Sequence, residues 1–211
     1  MDSSPALLSV NVARMRLIQL GGQTVKTGIY KEPVKGRVAV RDEQVGEDRQ
    51  GDYSVHGGCD KAVYAYASED YEWWGTELRT ETPPGLFGEN LTTTGVDLTN
   101  AEVGQRLRVG GVELEVSEPR FPCSKLGFKM GDQRFVKRFA KALRPGAYLR
   151  IVSEGEIGAG DAIALGAAPG HGVTMGLFAR AVLAEPDLAP RMLEAPALSA
   201  SWREWAEQRL P

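Results

Sequence analysis

The sequence predicts a mainly β chain of the α+β class that ends in a group of short helices. Two glycine pairs, Gly21-Gly22 and Gly110-Gly111, each lie between runs of strand-favouring residues, which is the pattern of a β-hairpin. The segment Val112–Val116 alternates apolar and acidic residues with the period of two expected of a half-buried strand. From Ala167 a linker of Pro and Gly leads into helical periodicity, so helices are expected at the end of the chain.

The first half of the chain is expected to be rich in strands and to contain one amphipathic helix. Ser68 is predicted to cap that helix, because two acidic residues follow it in the first turn, where they complement the helix dipole. Tyr71, Trp74 and Leu78 recur at helical spacing and are predicted to face the core rather than a ligand. Strands are predicted at Leu7–Arg14, Leu17–Leu20, Thr24–Tyr30 and Ala62–Ala67.

In the second half, Gly131-Asp132 is predicted to open a helix that turns Phe135 and Phe139 inward. The opposite face of that helix is basic and is expected to be solvated. Pro145-Gly146 should end this region, and the run E-G-E-I-G-A-G-D-A-I-A-L should form two short strands around a turn. The basic face comprises Lys137, Arg138 and Lys141, and the remaining strands are predicted at Gln105–Val109, Val112–Val116 and Tyr148–Val152.

The C-terminal part is predicted to be a separate module of three helices. We expect a division into residues 1–166, which form the β domain, and residues 171–211, which form the module. Ser201 and Glu204 have the spacing of a capping box, and Trp202 and Trp205 should share one face of the last helix. No catalytic residue is expected in this module. Its helices are predicted at 173–183, 187–195 and 201–209.

Composition excludes several classes of function. The net charge of −3 does not favour a surface for nucleic acid or anionic membrane. No apolar run is long enough for a membrane helix, and the first ten residues lack the pattern of a secretion signal. We therefore expect a cytoplasmic protein in which the two cysteines, Cys59 and Cys123, stay reduced.

The segment S-E-P-R-F-P-C-S-K-L-G is the strongest candidate for a functional site. Pro119 and Pro122 stop the preceding strand, because proline fixes φ and lacks a backbone donor, so Cys123 should lie on a stiffened turn. Arg120 and Lys125 flank the cysteine, and nearby cations favour its thiolate form. A thiolate is both a nucleophile and a soft metal ligand. The alternative is a cysteine that fills a small apolar gap.

This segment and three others together resemble the MOSC domain family, and more narrowly its YiiM-like branch. The other segments are T-G-I-Y-K-E-P-V-K-G-R-V at 27–38, V-H-G-G-C-D-K-A-V-Y at 55–64 and G-L-F-G-E-N-L-T-T-T-G at 85–95. The resemblance extends from about Leu8 to Arg209. It implies a β-barrel with peripheral helices, followed by the small three-helix module, which would pack on the barrel or mediate self-association as a homodimer.

The resemblance also implies a molybdenum cofactor, Mo-molybdopterin, held by the thiolate of Cys123; pyridoxal phosphate is not expected. The implied reaction is the reduction of N-hydroxylated compounds, such as hydroxylamines, amidoximes or hydroxylaminopurines, to amines. The chain has neither a Rossmann glycine fingerprint nor a cysteine cluster for an iron–sulfur centre, so the electrons should come from a separate reductase. An acidic donor of this kind could dock on the basic helix face. Neither nucleic acid nor a membrane is expected as a partner.

Further site residues follow from the same resemblance. Lys31, Lys61 and Arg120 are the candidates for holding the terminal phosphate of the cofactor, since charge-assisted bonds to phosphate are strong. The glycine-rich bend of 85–95 could cradle an anion with its backbone amides. The further candidates are Asn90 and Tyr148 for contact with the pterin or substrate, and His56 for positioning a proton donor. His56 could instead bond a backbone carbonyl in a tight turn.

Three other interpretations remain open at this point. The protein could be a carrier that binds the cofactor and hands it on, or Cys123 could carry a persulfide and transfer sulfur without metal. The chain could also be a β-barrel with a helical appendage and no cofactor. A zinc site from His56, Cys59, Cys123 and His171 is set aside, because structural zinc sites need closely spaced ligand pairs that recur along the chain.

Overall fold

The structure is a computed structural model that describes residues 4–13, 15–48 and 57–210. It has the mixed α+β architecture that the sequence predicts, dominated by one large sheet. Both glycine pairs form the predicted hairpin turns, the first between the strands Arg16–Leu20 and Gln23–Thr27 and the second between Arg106–Val109 and Val112–Glu118. The strands are β1 Ala6–Ala13, β2 Arg16–Leu20, β3 Gln23–Thr27, β4 Lys31–Pro33, β5 Val38–Arg41, β6 Gln44–Val45, β7 Val63–Ala67, β8 Leu91–Thr94, β9 Arg106–Val109, β10 Val112–Glu118, β11 Ala147–Ser153, β12 Gly155–Ile157 and β13 Ile163–Leu165.

Eight strands form the large sheet in the order β13-β9-β10-β11-β7-β8-β1-β4. β7 and β8 are parallel, as the helical connection between them requires, and the other pairs are antiparallel. Within the described residues the strands do not close into the barrel that the resemblance implied. The edge at β13 meets β1 through backbone hydrogen bonds from Leu7 N to Asp161 O, from Gly160 N to Leu7 O and from Ile163 N to Pro5 O, at 2.9, 2.7 and 2.9 Å, and through an isolated bridge between Ala6 and Ala162.

The two short strands predicted near the end of the sheet are present, but they do not pair with each other. β12 joins β5 and β6 in a three-stranded sheet, whereas β13 extends the large sheet beside β9. The turn between them therefore carries the chain from one sheet to another.

Five α-helices and two 3₁₀ segments accompany the strands in the described part of the chain. Ala67, and not Ser68, is the N-cap of α1, and no side chain caps that end, so the predicted serine cap is wrong. The helix of Phe135 and Phe139 begins three residues after Asp132 and buries both rings, as predicted. The helices are α1 Ser68–Leu78, α2 Ser124–Lys129, α3 Phe135–Ala142, α4 Met175–Leu183 and α5 Ala200–Glu207, and the 3₁₀ segments are Cys59–Lys61 and Pro186–Glu194.

Strand β7 separates two hydrophobic cores. Its residues alternate as predicted, but both faces are buried, because Val63 and Ala65 point into an aliphatic core while Tyr64 and Tyr66 point into an aromatic one. The aromatic core also contains Trp74, whose ring stacks on Phe139 with centroids 5.8 Å apart. This second core supports the segment that carries Cys123.

The C-terminal helices pack on the large sheet. Phe178 and Met192 belong to the same buried cluster as Leu114 of β10, so the aliphatic core continues from the sheet into these helices. The middle helical stretch is 3₁₀, with Pro190 inside it, and the predicted capping box is absent because α5 begins after Ser199, which makes no side-chain cap bond. In the part of the chain that the structure describes, every helix is too short or too polar to span a lipid bilayer.

Candidate functional site

Cys123 is the N-cap residue of helix α2, a helix that sequence reasoning missed. β10 ends at Glu118, directly before the first proline, as predicted, and the half-buried Cys123 follows four residues after that proline. The Cys123 carbonyl accepts a hydrogen bond from Leu126 N at 3.0 Å. The sequence predicted a turn between strand and loop, because two prolines and a six-residue helix leave little helical periodicity to detect. The cysteine therefore lies between two regular elements.

Arg120 is buried beside this cysteine and is only 6 % exposed. Its guanidinium carbon lies 5.5 Å from the ring centroids of both Tyr64 and Phe139. Burial alone lowers the pKa of Arg120, but nearby Tyr64, Tyr148 and Cys123 outweigh it and raise the pKa. Among the described residues, the buried Nη1 atom of Arg120 has no hydrogen-bond partner. A buried cationic donor without a partner is unusual in a native protein and points to an anion.

Tyr148 completes the group around Cys123. It lies on β11 opposite Glu118, its ring centroid is 5.1 Å from that of Tyr64, and its hydroxyl interacts with Arg120. Burial raises the pKa of Tyr148, so its hydroxyl stays protonated near neutral pH. The structure thus brings Tyr148, which is distant in the sequence, together with the neighbouring candidates Arg120 and Cys123.

Lys31 and Asn90 meet at a carboxylate that sequence reasoning missed, Asp48. The Lys31 ammonium forms a buried ion pair with Asp48, and Asn90 Nδ2 donates to Asp48 Oδ2 at 2.9 Å. Asn90 Oδ1 accepts from Tyr64 N at 3.1 Å. Burial lowers the pKa of Lys31 despite this pairing. Asp48 was missed because it lies in a polar stretch, R-D-E-Q-V-G-E-D-R-Q, in which no periodicity marks one residue as buried.

Lys61 is paired with a second missed carboxylate, Glu118. Lys61 Nζ lies 3.3 Å from Glu118 Oε1, and Trp202 Nε1 donates to Glu118 Oε2 at 2.8 Å. Burial raises the pKa of Glu118, although Lys61 and Trp202 oppose that shift. The alternating pattern of β10 predicted the inward residues of this strand up to Val116 but carried no signal for a buried acid at its end.

Lys129 is a third residue that the sequence analysis did not select. Its Nζ donates to Ile29 O at 2.9 Å and to Gly85 O at 2.7 Å, so it joins α2 to two loops. Burial lowers the pKa of Lys129 to about 8, with Arg120 and Lys31 adding repulsion and Glu89 opposing it. Lys129 comes close to the site because it is the last residue of helix α2. The sequence predicted a turn and no helix here, so it did not indicate that this lysine is near the site.

The glycine-rich bend of 85–95 does not offer its amides to an anion as predicted. Glu89 is fully buried, and its Oε1 accepts from Gly85 N at 2.5 Å. Phe87 N donates to the Tyr71 hydroxyl at 3.2 Å, and Gly88 N donates to Gly85 O at 3.0 Å. The chain's own acid and turns therefore use these amides, and that part of the prediction is wrong.

The remaining candidates can be placed only in part. His56 lies outside the described residues, whereas Cys59 is exposed at the start of a 3₁₀ segment. His171 uses both ring nitrogens: Nδ1 accepts from Val173 N and Nε2 donates to Val103 O, each at 3.0 Å. Within the described residues no group of three or more His, Cys, Asp or Glu residues could hold a metal ion.

Comparisons with known proteins identify the family of this chain. The family profile described as "MOSC domain" matches residues 52–164, which is more than half of the chain. The protein therefore belongs to the MOSC domain family, whose members are generally associated with binding of a molybdenum cofactor. Within that family it is similar to YiiM: a crystal structure of YiiM from Geobacillus stearothermophilus superposes with a TM-score of 0.81 at 31 % identity, covering 98 % of this chain and all of that one.

Two further relatives are informative. "Uncharacterized protein YflK" of Bacillus subtilis is 32 % identical over 201 residues, which is 94 % of this chain and 91 % of that protein. A protein of Gibberella moniliformis named "Reductase" is 35 % identical over 178 residues, which is 78 % of this chain. That match covers 31 % of the fungal protein, so the fungal relative is much longer than the shared region.

Proposed function

We propose that this protein holds a molybdenum cofactor through the Cys123 thiolate and reduces N-hydroxylated compounds to amines. Membership of the MOSC family supports the cofactor, and the similarity to a protein named as a reductase supports the reaction class. Hydroxylamines, amidoximes and hydroxylaminopurines are the proposed substrates. Reduction of an N–OH group to N–H consumes two electrons and two protons and releases water.

The observation that carries the proposal is the partnerless Nη1 atom of Arg120 next to Cys123. A thiolate can ligate a soft metal, and the cofactor carries an anionic phosphate. A buried guanidinium with an unused donor fits such a group, because an ionic hydrogen bond would satisfy it. Arg120 and Lys31 both repel the positive charge of Lys129, so three cations lie close to one another here. The residues of the site therefore fit the cofactor.

Each residue then has a distinct task. When bound, the cofactor supplies the two-electron redox step, and the protein supplies binding, orientation and tuning. Cys123 is the proposed ligand, and Arg120, Lys31 and Lys61 are proposed to hold the phosphate. Asn90 holds Asp48, which in turn holds Lys31 in place. Tyr148 contacts the pterin or substrate, and His56 is proposed to position a proton donor.

We propose that a separate reductase delivers the electrons. The sequence has neither a Rossmann fingerprint nor cysteines enough for an iron–sulfur centre. The similarity to the fungal reductase covers only 31 % of that protein. The present chain thus matches one part of that longer protein. We assign the delivery of electrons to another chain.

The first test is metal analysis of the protein purified from a host that makes molybdopterin. We expect about one molybdenum per chain in the wild type and in Cys59→Ala, and its loss in Cys123→Ala, because one thiolate anchors the metal. Cys59 is the matched control, since it is the other cysteine and is exposed. A hydroxylamine assay with an artificial electron donor then tests the reaction.

Other results would favour the rival functions. Molybdenum without reduction of hydroxylamine would indicate a cofactor carrier. A thiol of Cys123 that is heavier by one sulfur, with no molybdenum in any variant, would indicate sulfur transfer. Either outcome contradicts the proposed reductase.

A further inference from the structure

One tryptophan of the C-terminal helices contacts the segment before Cys123 at two points. Trp202 Nε1 donates to Glu118 Oε2 at 2.8 Å, and the Trp202 ring lies 5.3 Å from that of Phe121, measured between centroids. Both contacted residues belong to the run E-P-R-F-P-C, and Arg120 lies between them. Trp202 thus holds this run on both sides of the arginine.

The same run has little backbone support of its own. Pro119 and Pro122 have no N–H to donate, and the ladder of β10 with β11 ends at the pair Glu118–Tyr148. Among the described residues, the backbone of residues 119–122 forms no hydrogen bond with the backbone of a loop or turn. Side-chain contacts must therefore determine where this run lies.

The contacts of Trp202 are themselves fixed by the C-terminal helices. Phe178 of α4 packs against Trp202 with perpendicular rings 5.1 Å apart, and it also packs against Phe121 at 6.3 Å. Arg150 of β11 donates to Ala197 O at 2.9 Å, which ties the loop before α5 to the sheet. The tryptophan is therefore anchored on both sides.

We infer that Trp202 is a positioning residue for the candidate site, which sets the place of Arg120 and Cys123 through its ring contact with Phe121 and its hydrogen bond to Glu118. This gives the C-terminal helices a role in a site to which they contribute no catalytic group. The inference rests on the proposed function in one respect, because it takes the sulfur of Cys123 as the reactive atom. It can be tested without molybdenum.

The test measures the alkylation rate of Cys123 by iodoacetamide at one neutral pH, in a Cys59→Ser background. Trp202→Phe keeps a ring against Phe121 but removes the N–H that Glu118 accepts. We expect the Cys123 alkylation rate to rise about threefold or more, because the run that carries Cys123 loses one of its two contacts with Trp202 and opens to the reagent more often. Trp205→Phe is the matched control on the same helix: its ring contacts Trp202 and Arg209 but, among described residues, no ring of the 118–123 run.

A second variant separates positioning from simple loss of stability. Glu118→Gln keeps an acceptor for Trp202 but removes the negative charge and releases Lys61. We expect the Cys123 alkylation rate in this variant to stay within about twofold of the wild-type rate, because the Trp202 hydrogen bond still holds the run. General destabilisation would raise the rate in both variants.

Hydrogen exchange provides an independent readout. Trp202→Phe should increase exchange in peptides covering 119–126, while exchange in the distant hairpin of β2 and β3 stays at the wild-type level. The inference is overturned if Trp202→Phe behaves like Trp205→Phe in both measurements, or if the Trp202 and Glu118 variants raise the alkylation rate by the same factor. Metal analysis of Cys123→Ala decides the proposed function separately, so the two can fail independently.

Discussion

At the scale of single residues, the candidate site combines two lysines that pair with carboxylates, Lys31 and Lys61, with two cations that contact mainly other groups, Arg120 and Lys129. Arg120 Nη1 has no hydrogen-bond partner among the described residues, whereas Lys129 donates hydrogen bonds to the carbonyls of Ile29 and Gly85. Burial of Lys129 lowers its pKa from 10.5 to about 8. Such a shift makes the stability of the fold depend on pH.

The sign of that dependence follows from proton counts for Lys129. Between pH 8 and 10.5 the folded state releases the Lys129 proton while the unfolded state keeps it, so the free energy of unfolding rises with pH. From pH 8 to about pH 9.5 this contribution amounts to about 1.5 kcal/mol. Urea unfolding at these two pH values should show this increase in the wild type and not in Lys129→Met. Lys137→Met, on the exposed face of α3, should keep the wild-type dependence, and a variant at Lys129 that also keeps it would contradict the assignment.

At the scale of elements, the loop that contains the glycine-rich bend lies directly against the segment of Lys31. Gly85 has φ +83°, and a Cβ atom there would overlap the carbonyl oxygen of Lys31. The same glycine carbonyl accepts from Lys129, so α2, this loop and the Lys31 segment meet at one place. The close approach requires a residue without a side chain.

Gly85→Ala tests this contact. We expect a loss of about 3 kcal/mol in the free energy of unfolding, because the substitution combines an unfavourable positive φ with backbone overlap. Gly36→Ala is the control, since Gly36 has φ +81° but nothing within 4 Å of the added Cβ, and it should cost about 1 kcal/mol. Equal losses in the two variants, measured by chemical denaturation, would show that the close approach has no energetic weight.

At the scale of the whole molecule, Arg150 links elements that are distant in sequence. Its Nε lies 2.5 Å from Asp60 Oδ1, its Nη1 lies 2.6 Å from Glu115 Oε1, and its Nη2 donates to Ala197 O. The arginine therefore connects the 3₁₀ segment at Cys59–Lys61, β10 and the C-terminal part. Together with the shared aliphatic core, this network should make the chain unfold as one cooperative unit.

Arg150→Ala should lower the free energy of unfolding by about 2 kcal/mol, because Asp60 loses its ion pair, Glu115 keeps only its pair with Arg106, and the Ala197 carbonyl loses its donor. Arg180→Ala removes an exposed pair with Glu185 and should cost less than about 1 kcal/mol. Scanning calorimetry measures both, and a single transition is expected for the wild type. Two separate transitions, one for the sheet and one for the C-terminal helices, would instead support independent domains.

Several local features were predictable because they depend on neighbouring residues. Glycine pairs determine hairpin turns, and alternation determines which residues of β10 face the core. The end of β10 before Pro119 follows from the missing N–H of proline. Cys123 and Arg120 stood out because prolines and cations, and not aliphatic residues, surround them in the sequence.

Other features were decided only by tertiary contacts. Asp48, Glu118 and Lys129 become part of the site because the sheet and α2 bury them beside the predicted residues, and burial of a charge depends on elements far away in the chain. The amides of the glycine-rich bend are used by Glu89, a pairing that the glycines alone do not indicate. The sequence by itself therefore determined the hairpins, the family and the candidate cysteine, since these depend on local patterns. Only the tertiary structure decided the open sheet, the second core and the partners of each buried charge, since those depend on long-range packing.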